Sequence, residues 1–278
     1  MSLGVFLAVL GAAFLHAAWN GLIRLGGNPL GTMLIMTLTQ GLVGLAVAVL
    51  RPWPATDVWP WLVASGALHS AYKFLLIFAY EHGDLSRVYP IARGAAPAIV
   101  LVASLLILAE PMTGGEILGI AVLIAGILTM AQGVFAAGES ARLLPFALGS
   151  ALATAGYSIV DGVGARISGD AVMYVAWLFV FDAVFFTPVC LGLRGRSVWV
   201  PPGRAWAPGV AAALGSYAAY AIAVWAMTRA PIALVTALRE TSILFAVLIG
   251  WLVFREPMGR GKALAAGLIL AGVVLTRL

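Results

Sequence analysis

Charge is scarce in this chain. Of 278 residues only 10% are charged, against 63% that are hydrophobic. A soluble domain carries roughly 25% charged residues, so this supply cannot cover a surface facing water. Cysteine is nearly absent too. The single thiol, Cys190, excludes an internal disulfide and most metal frameworks, and its apolar surroundings make it a small packing residue. Basic residues outnumber acidic ones, giving a net charge of +5. They stand singly between apolar runs, however, with no dense patch to neutralise a row of phosphates, which argues against a nucleic-acid partner. No His-Glu-x-x-His, Gly-x-Ser-x-Gly or Walker loop occurs, so no catalytic centre, metal or cofactor is expected.

What remains is apolar sequence in long runs. Bounded by charge, Pro or Gly, these runs predict ten transmembrane helices over 3–23, 29–50, 57–80, 86–108, 114–135, 143–163, 170–193, 205–228, 231–253 and 260–277. The fold class expected is therefore an all-α polytopic membrane protein. The first run follows Met1 and Ser2 without a basic n-region and is long enough to span, so it reads as the first helix and not as a cleavable signal. The breaks are short, as at Gly26-Gly27-Asn28-Pro29 and Arg51-Pro52-Trp53-Pro54, and leave no room for a folded domain outside the lipid. Trp53, Trp59, Trp61, Trp199 and Trp206 gather near them, where amphipathic rings favour the interface.

The chain also repeats itself. EPMTGGEILGIAVLIAGILTM at 110–130 aligns without gaps on EPMGRGKALAAGLILAGVVLT at 256–276. At the same offset Arg93 falls on Arg239, while Gly11, Trp19 and Asn20 of the first helix echo Gly149, Tyr157 and Ser158 of the sixth. Two five-helix halves follow, 1–137 and 138–278. Because five is odd, the second copy enters the membrane in the opposite sense, giving an inverted-topology repeat. Two such copies can rock to open one site to either side. Loop charge sets the orientation. The loops after the odd-numbered helices hold Arg24, Arg87, Arg142, Arg194, Arg196, Arg204, Arg255, Arg260 and Lys262, against Arg51, Arg166, Arg229 and Arg277 on the other side. The positive-inside rule then places both termini outside the cytoplasm.

Ten helices in two halves, each half closing on a Glu-Pro turn and a Gly-rich last helix, resemble the drug/metabolite transporter superfamily, in particular its EamA-type branch. That branch includes bacterial exporters of amino acids and other metabolites. The residues carrying the likeness are His16-Ala17-Ala18-Trp19-Asn20, Glu110-Pro111 and Glu256-Pro257, and it extends over essentially the whole chain. The resemblance implies transport by alternating access, a cavity formed mainly by helices 1–4 and 6–9, a multi-pass location in the inner membrane, and cytoplasmic termini. The last of these opposes the charge count, and both orientations stay open.

Ionisable groups within the spans need a reason, since each costs about 2.5–3.5 kcal/mol on insertion scales. They are Lys73, Arg93, Asp161, Asp182, Arg239 and Glu240, with His16 and His69 besides. Polar packing between helices is the competing account for each. Spacing favours a cavity for His16, Trp19 and Asn20, which share one helix face. Thr154, Tyr157 and Ser158 repeat that pattern and Asp161 extends it. His69, Lys73 and Tyr80 form a stripe on the third helix, and Tyr217 and Tyr220 lie on the matching eighth. Tyr89 and Arg93 are flanked by Pro90 and Pro97, which invite a kink, and Asp182 corresponds in the repeat to Gln40. Two Arg and a Lys suit a carboxylate. Asp161 or Asp182 suits an ammonium beside the π-faces of Trp19, Tyr157, Tyr217 or Tyr220. A small-molecule substrate with both groups, such as an aromatic or neutral amino acid, is the expected cargo, and protons are a candidate coupling ion through His16, Asp161 or Asp182. Other readings are an efflux carrier for drugs or quaternary amines, a channel, and an intramembrane aspartyl protease using Asp161 and Asp182. The protease reading fails in detail, because Asp161 begins an Asp-Gly-Val-Gly run instead of ending a Gly-x-Gly-Asp one. Gly119 and Gly126, mirrored by Ala265 and Gly272, predict a close helix contact, internal in a monomer or, alternatively, between the copies of a dimer.

Overall fold

The computed structural model describes residues 1–25, 29–82, 85–135, 143–195, 203–252, 255 and 259–278, with the backbone alone at 23–25, 29, 79–82, 85–93, 130–135, 143, 194, 204 and 250. Among the described residues the chain is helical, with no strand. The helices are α1 (Leu3–Leu25), α2 (Pro29–Ala48), α3 (Trp59–His82), α4 (Leu85–Leu106), α5 (Gly114–Phe135), α6 (Leu143–Ser168), α7 (Ala171–Arg194), α8 (Trp206–Met227), α9 (Ile232–Arg239), α10 (Ser242–Leu252) and α11 (Arg260–Leu275). Seven stretches of the described residues are long and apolar enough to cross a membrane: one in each of α1, α2, α3, α6, α7 and α8, and Ile232–Ile249 across α9 and α10. In α4 and α5 the qualifying apolar segments are shorter, Gly94–Leu106 and Gly114–Thr129. The protein is a multi-pass membrane protein.

Two compact units divide the chain. One holds residues 2–70 and 160–229, the other 71–159 and 230–278 together with Met1. Each draws helices from both sequence halves, so packing units and sequence halves are different divisions of the chain.

In the first unit α2 packs against α7 and α1 against α8. The α2–α7 contact is close because glycine faces it. A Cβ on Gly41 would lie 2.6 Å from Ala183 Cβ, and one on Gly44 would lie 2.5 Å from the Ala176 carbonyl oxygen. As α2 advances, its partners on α7 recede, so the two helices run antiparallel. In the second unit α5 and α11 do the same. Gly119 meets Gly272 and Thr276, whereas Gly126 meets Leu268 and Ile269, again antiparallel and at backbone distance. The small-residue seam seen in the sequence is therefore internal to the chain, at Gly119, Gly126, Ala265 and Gly272, of which Ala265 and Gly272 are fully buried or nearly so.

The repeat also appears in the backbone. Ala109 and Arg255 occupy equivalent positions just ahead of the two Glu-Pro pairs, and both are left-handed, with φ of 47° and 55°. That region is costly for a residue with a Cβ, so its double occurrence marks a turn kept in both copies. At the first turn Glu110 is drawn inward. Its Oε2 accepts the Ile232 backbone N–H at 2.8 Å, satisfying a donor at the start of α9 that the helix itself cannot. Glu256, Pro257 and Met258 lie outside the described residues.

The ninth span departs from expectation. The sequence predicts one helix over 231–253, but the helix ends at Arg239 and restarts at Ser242. No Pro or Gly lies there. Instead, Glu240 N and Thr241 N donate to Ala237 O and Leu238 O at 3.0 and 3.1 Å, three residues back. Thr241 Oγ1 adds a 2.6 Å bond to the same Leu238 carbonyl. A hydroxyl competing for a backbone acceptor tightens the turn and ends the α-helical ladder. By contrast α4, which carries Pro90 and Pro97, is helical throughout.

Candidate functional site

The densest buried polar cluster among the described residues forms in the first unit around Asp161 of α6, whose side chain is wholly shielded. Three other helices supply its partners. His69 Nε2 of α3 lies 3.0 Å from Oδ2, Tyr220 of α8 donates its hydroxyl to the same oxygen, and Tyr174 of α7 donates to Oδ1 at 3.2 Å. The His69 and Tyr220 rings meet edge to face at 5.1 Å. A carboxylate holding three donors in a low-dielectric span keeps much of the solvation it loses on burial.

Small residues make the cluster reachable. A Cβ on Gly164, one turn after Asp161, would collide with the Tyr174 ring at 2.6 Å and with Trp61 Cβ at 2.8 Å. The Asp161-Gly-Val-Gly164 run therefore provides the slot into which Tyr174 fits. On α3, Gly66 lets the backbone approach Phe181 and the Asp182 amide. One turn later Ser70 Oγ reaches the Asp182 carbonyl oxygen at 3.3 Å and its Oδ1 at 3.4 Å. Asp161 and Asp182 thus have separate partners, unlike the proton-sharing pair of an aspartyl protease.

An aromatic and amphipathic wall accompanies the carboxylates. Phe179 of α7 stands 5.0 Å from the Tyr217 ring and 6.0 Å from that of Tyr220. His16 and Trp19 meet edge to face at 4.8 Å, and Asn20 turns its amide back to the His16 carbonyl at 2.8 Å. Several polar atoms in this unit are buried without a protein partner: Tyr217 OH, Trp19 Nε1 and Gln40 Oε1. Such atoms cost free energy unless a ligand or water meets them.

Of the site residues expected from sequence, His16, Trp19, Asn20, Asp161, Asp182, Tyr217 and Tyr220 belong to this unit. Lys73, Tyr157 and Arg239 belong to the other, all three buried, with the Tyr157 ring 5.8 Å from that of Tyr72. The side chains of Tyr80, Tyr89 and Arg93 lie outside the described residues. Three polar partners were not expected. Tyr174 is one, and its only sequence signal is the glycine opposite it. Ser70 is another, and the third is Glu110, which serves as a helix-terminus acceptor as well as a turn residue. Trp53, Trp59 and Trp177 form a further cluster, with ring centroids 4.8–5.7 Å apart, so two of the expected interface anchors also pack against one another.

Residues 2–132 and 142–278 each match the model of the EamA-like transporter family. The chain belongs to the EamA-like transporter family. No curated protein sequence matches it. A solved structure, titled simply as the crystal structure of a protein, is 20% identical over 99% of this chain and 96% of its own, with a TM-score of 0.79. That likeness speaks for the fold alone. Membership assigns membrane transport and two family repeats, and it gives the buried cluster a transporter as its setting.

Proposed function

We propose that this EamA-family protein exports small zwitterionic metabolites of the amino-acid type across the inner membrane by alternating access. The observation carrying the reading is the Asp161 carboxylate, fully buried in a membrane-spanning helix and surrounded by His69, Tyr174 and Tyr220. An ionisable group at such depth is costly and faces a pathway far more often than lipid. The ammonium of the substrate goes to Asp161, with Tyr217 and Tyr220 offering π-faces and the partnerless Tyr217 hydroxyl, Trp19 indole and Gln40 carbonyl completing its coordination. Lys73, Arg93 and Arg239 are the cations available for its carboxylate, with Tyr80, Tyr89, Tyr157, His16, Asn20 and Asp182 as further polar lining.

The topology proposed is ten crossings in two inverted sets of five, with α9 and α10 together making the ninth. It is supported by the antiparallel crossings of the repeat-equivalent pairs α2–α7 and α5–α11 and by the paired left-handed residues Ala109 and Arg255. Because the glycine seam of α5 is occupied by α11 of the same chain, a monomer is the working assembly.

Counterflow in proteoliposomes tests this. Vesicles loaded with a mixture of unlabelled amino acids should take up radiolabelled ones saturably, and Asp161→Ala should abolish that uptake. Uptake no different from protein-free vesicles across the mixture, or a non-saturable flux typical of a channel, would overturn the reading.

A further inference from the structure

The geometry points to the Asp161–His69–Tyr220 cluster as a proton-carrying site that exchanges one proton for the cationic group of the transported molecule. This deepens the transporter reading and rests on it. The cluster pairs the most shielded carboxylate of the unit with the one side chain whose ordinary titration falls near neutrality, at 3.0 Å. Tyr220 contacts both members, bonding the carboxylate and packing its ring against the imidazole. A static ion pair would need no third group spanning both. A site that changes protonation does need one, because the hydroxyl can keep donating to Oδ2 while the imidazole gains or loses its proton.

The balance is simple. Asp161 as carboxylate with neutral His69 carries net charge −1. Adding one proton, on His69 or on the carboxyl, brings the cluster to zero. In the deprotonated state the buried negative charge lacks a counter-ion, and an ammonium group restores neutrality as well as a proton does. Low local dielectric makes simultaneous occupancy by both unfavourable, so proton and cation compete for the same charge. The groups facing the carboxylate are His69 from α3, Tyr174 from α7 and Tyr220 from α8. The next ionisable side chains along those helices are Lys73 of α3, one turn beyond His69, and Asp182 of α7, beside Ser70. Arg166, further along α6, turns its Nε to the Met227 carbonyl at 2.8 Å.

Two measurements decide the matter. The first is the ¹⁵N spectrum of histidine-labelled, detergent-purified protein, in which the signal lost in His69→Gln identifies His69 among the three histidines. It should pass from imidazolium to neutral imidazole between about pH 5 and about pH 9, and Asp161→Asn should shift that transition towards lower pH. A His69 signal that keeps one protonation state over the interval overturns the proposal, whatever the transport result. The second uses proteoliposomes with the membrane potential clamped by valinomycin and equal potassium, following a radiolabelled amino acid shown to undergo counterflow. An imposed pH gradient should drive accumulation approaching ~10-fold per pH unit for one-for-one exchange, and Asp161→Asn should lose it. Counterflow indifferent to the gradient would refute the proton site while leaving the transporter intact. Absence of counterflow would instead refute the choice of cargo, with the histidine titration still deciding the cluster.

Discussion

The α2–α7 and α5–α11 crossings use the same device for different ends. Both join repeat-equivalent helices, both run antiparallel, and both rely on glycine to bring backbones into contact. At α5–α11 the interdigitating residues are small or aliphatic. Its one hydroxyl, Thr276, bonds within its own helix at 2.7 Å. At α2–α7 two buried polar side chains stand next to the crossing residues, Gln40 before Gly41 and Asp182 before Ala183. A close antiparallel contact in lipid thus needs no polar residue to hold it, since small-residue packing suffices. Gln40 and Asp182 therefore need another reason for being there, and the neighbouring Asp161 cluster supplies one.

The largest effect should come from closing the apolar crossing. In Gly119→Ala the new methyl would sit 2.7 Å from the Gly272 carbonyl oxygen, and in Gly272→Ala 2.7 Å from the Gly119 carbonyl oxygen. Each should destabilise the protein by about 1–3 kcal/mol, read as a lower thermal midpoint in detergent. Because the obstacle is backbone, trimming neighbouring side chains cannot rescue either variant. Gly41→Ala behaves differently, because its nearest obstacle is the Ala183 methyl at 2.6 Å. Here the double variant Gly41→Ala, Ala183→Gly should recover most of the lost midpoint. Rescue at Gly119 by Thr276→Ser, or its failure at Gly41, would erase the contrast between the crossings.

A smaller effect separates the two aspartates. Asp161→Asn retains one acceptor oxygen where three donors compete, which should cost about 1–3 kcal/mol. Asp182→Asn gives up only long contacts to Ser70, at 3.3 and 3.4 Å, and should cost less than half as much. Equal midpoints for the two variants would mean that the Asp161 cluster is no more strongly bonded than its neighbour.

The sequence was most informative where physics acts over many residues. Sustained hydropathy marked the spans to within a few residues, except that α6 runs on to Ser168. The gapless repeat foretold the shared Glu-Pro turns and the seam at Gly119 and Gly272. Polar residues in apolar spans singled out Asp161, Asp182 and Tyr220. Pairings between distant helices were not legible. His69 could be placed on a stripe with Lys73 and Tyr80, yet nothing along α3 indicates that an aspartate 92 residues away receives it. The α9–α10 break escaped for another reason. Prolines were the obvious breakers and sit in α4, whereas the interruption arises from the Thr241 hydroxyl competing for a carbonyl, a local contest that hydropathy does not register.

The start of α7 offers the finest test, because it sets the register in which that helix meets α2. Asp170 does two things there. Its Oδ1 accepts the Val172 and Met173 amides at 2.9 and 3.0 Å, capping the helix, and its Oδ2 pairs with Arg51 at 3.4 Å. Loss of an N-cap costs typically about 1 kcal/mol, whereas a solvent-exposed ion pair is worth about 0–1 kcal/mol and is screened by salt. Asp170→Ala should therefore lower the thermal midpoint more than Arg51→Ala does. Asp170→Asn, which keeps the cap and loses the charge, should match Arg51→Ala, and raising the salt should bring both closer to the unaltered protein. If Arg51→Ala proves as harmful as Asp170→Ala, then the ion pair and not the cap fixes where α7 begins, and the α2–α7 register depends on a charge at the membrane surface.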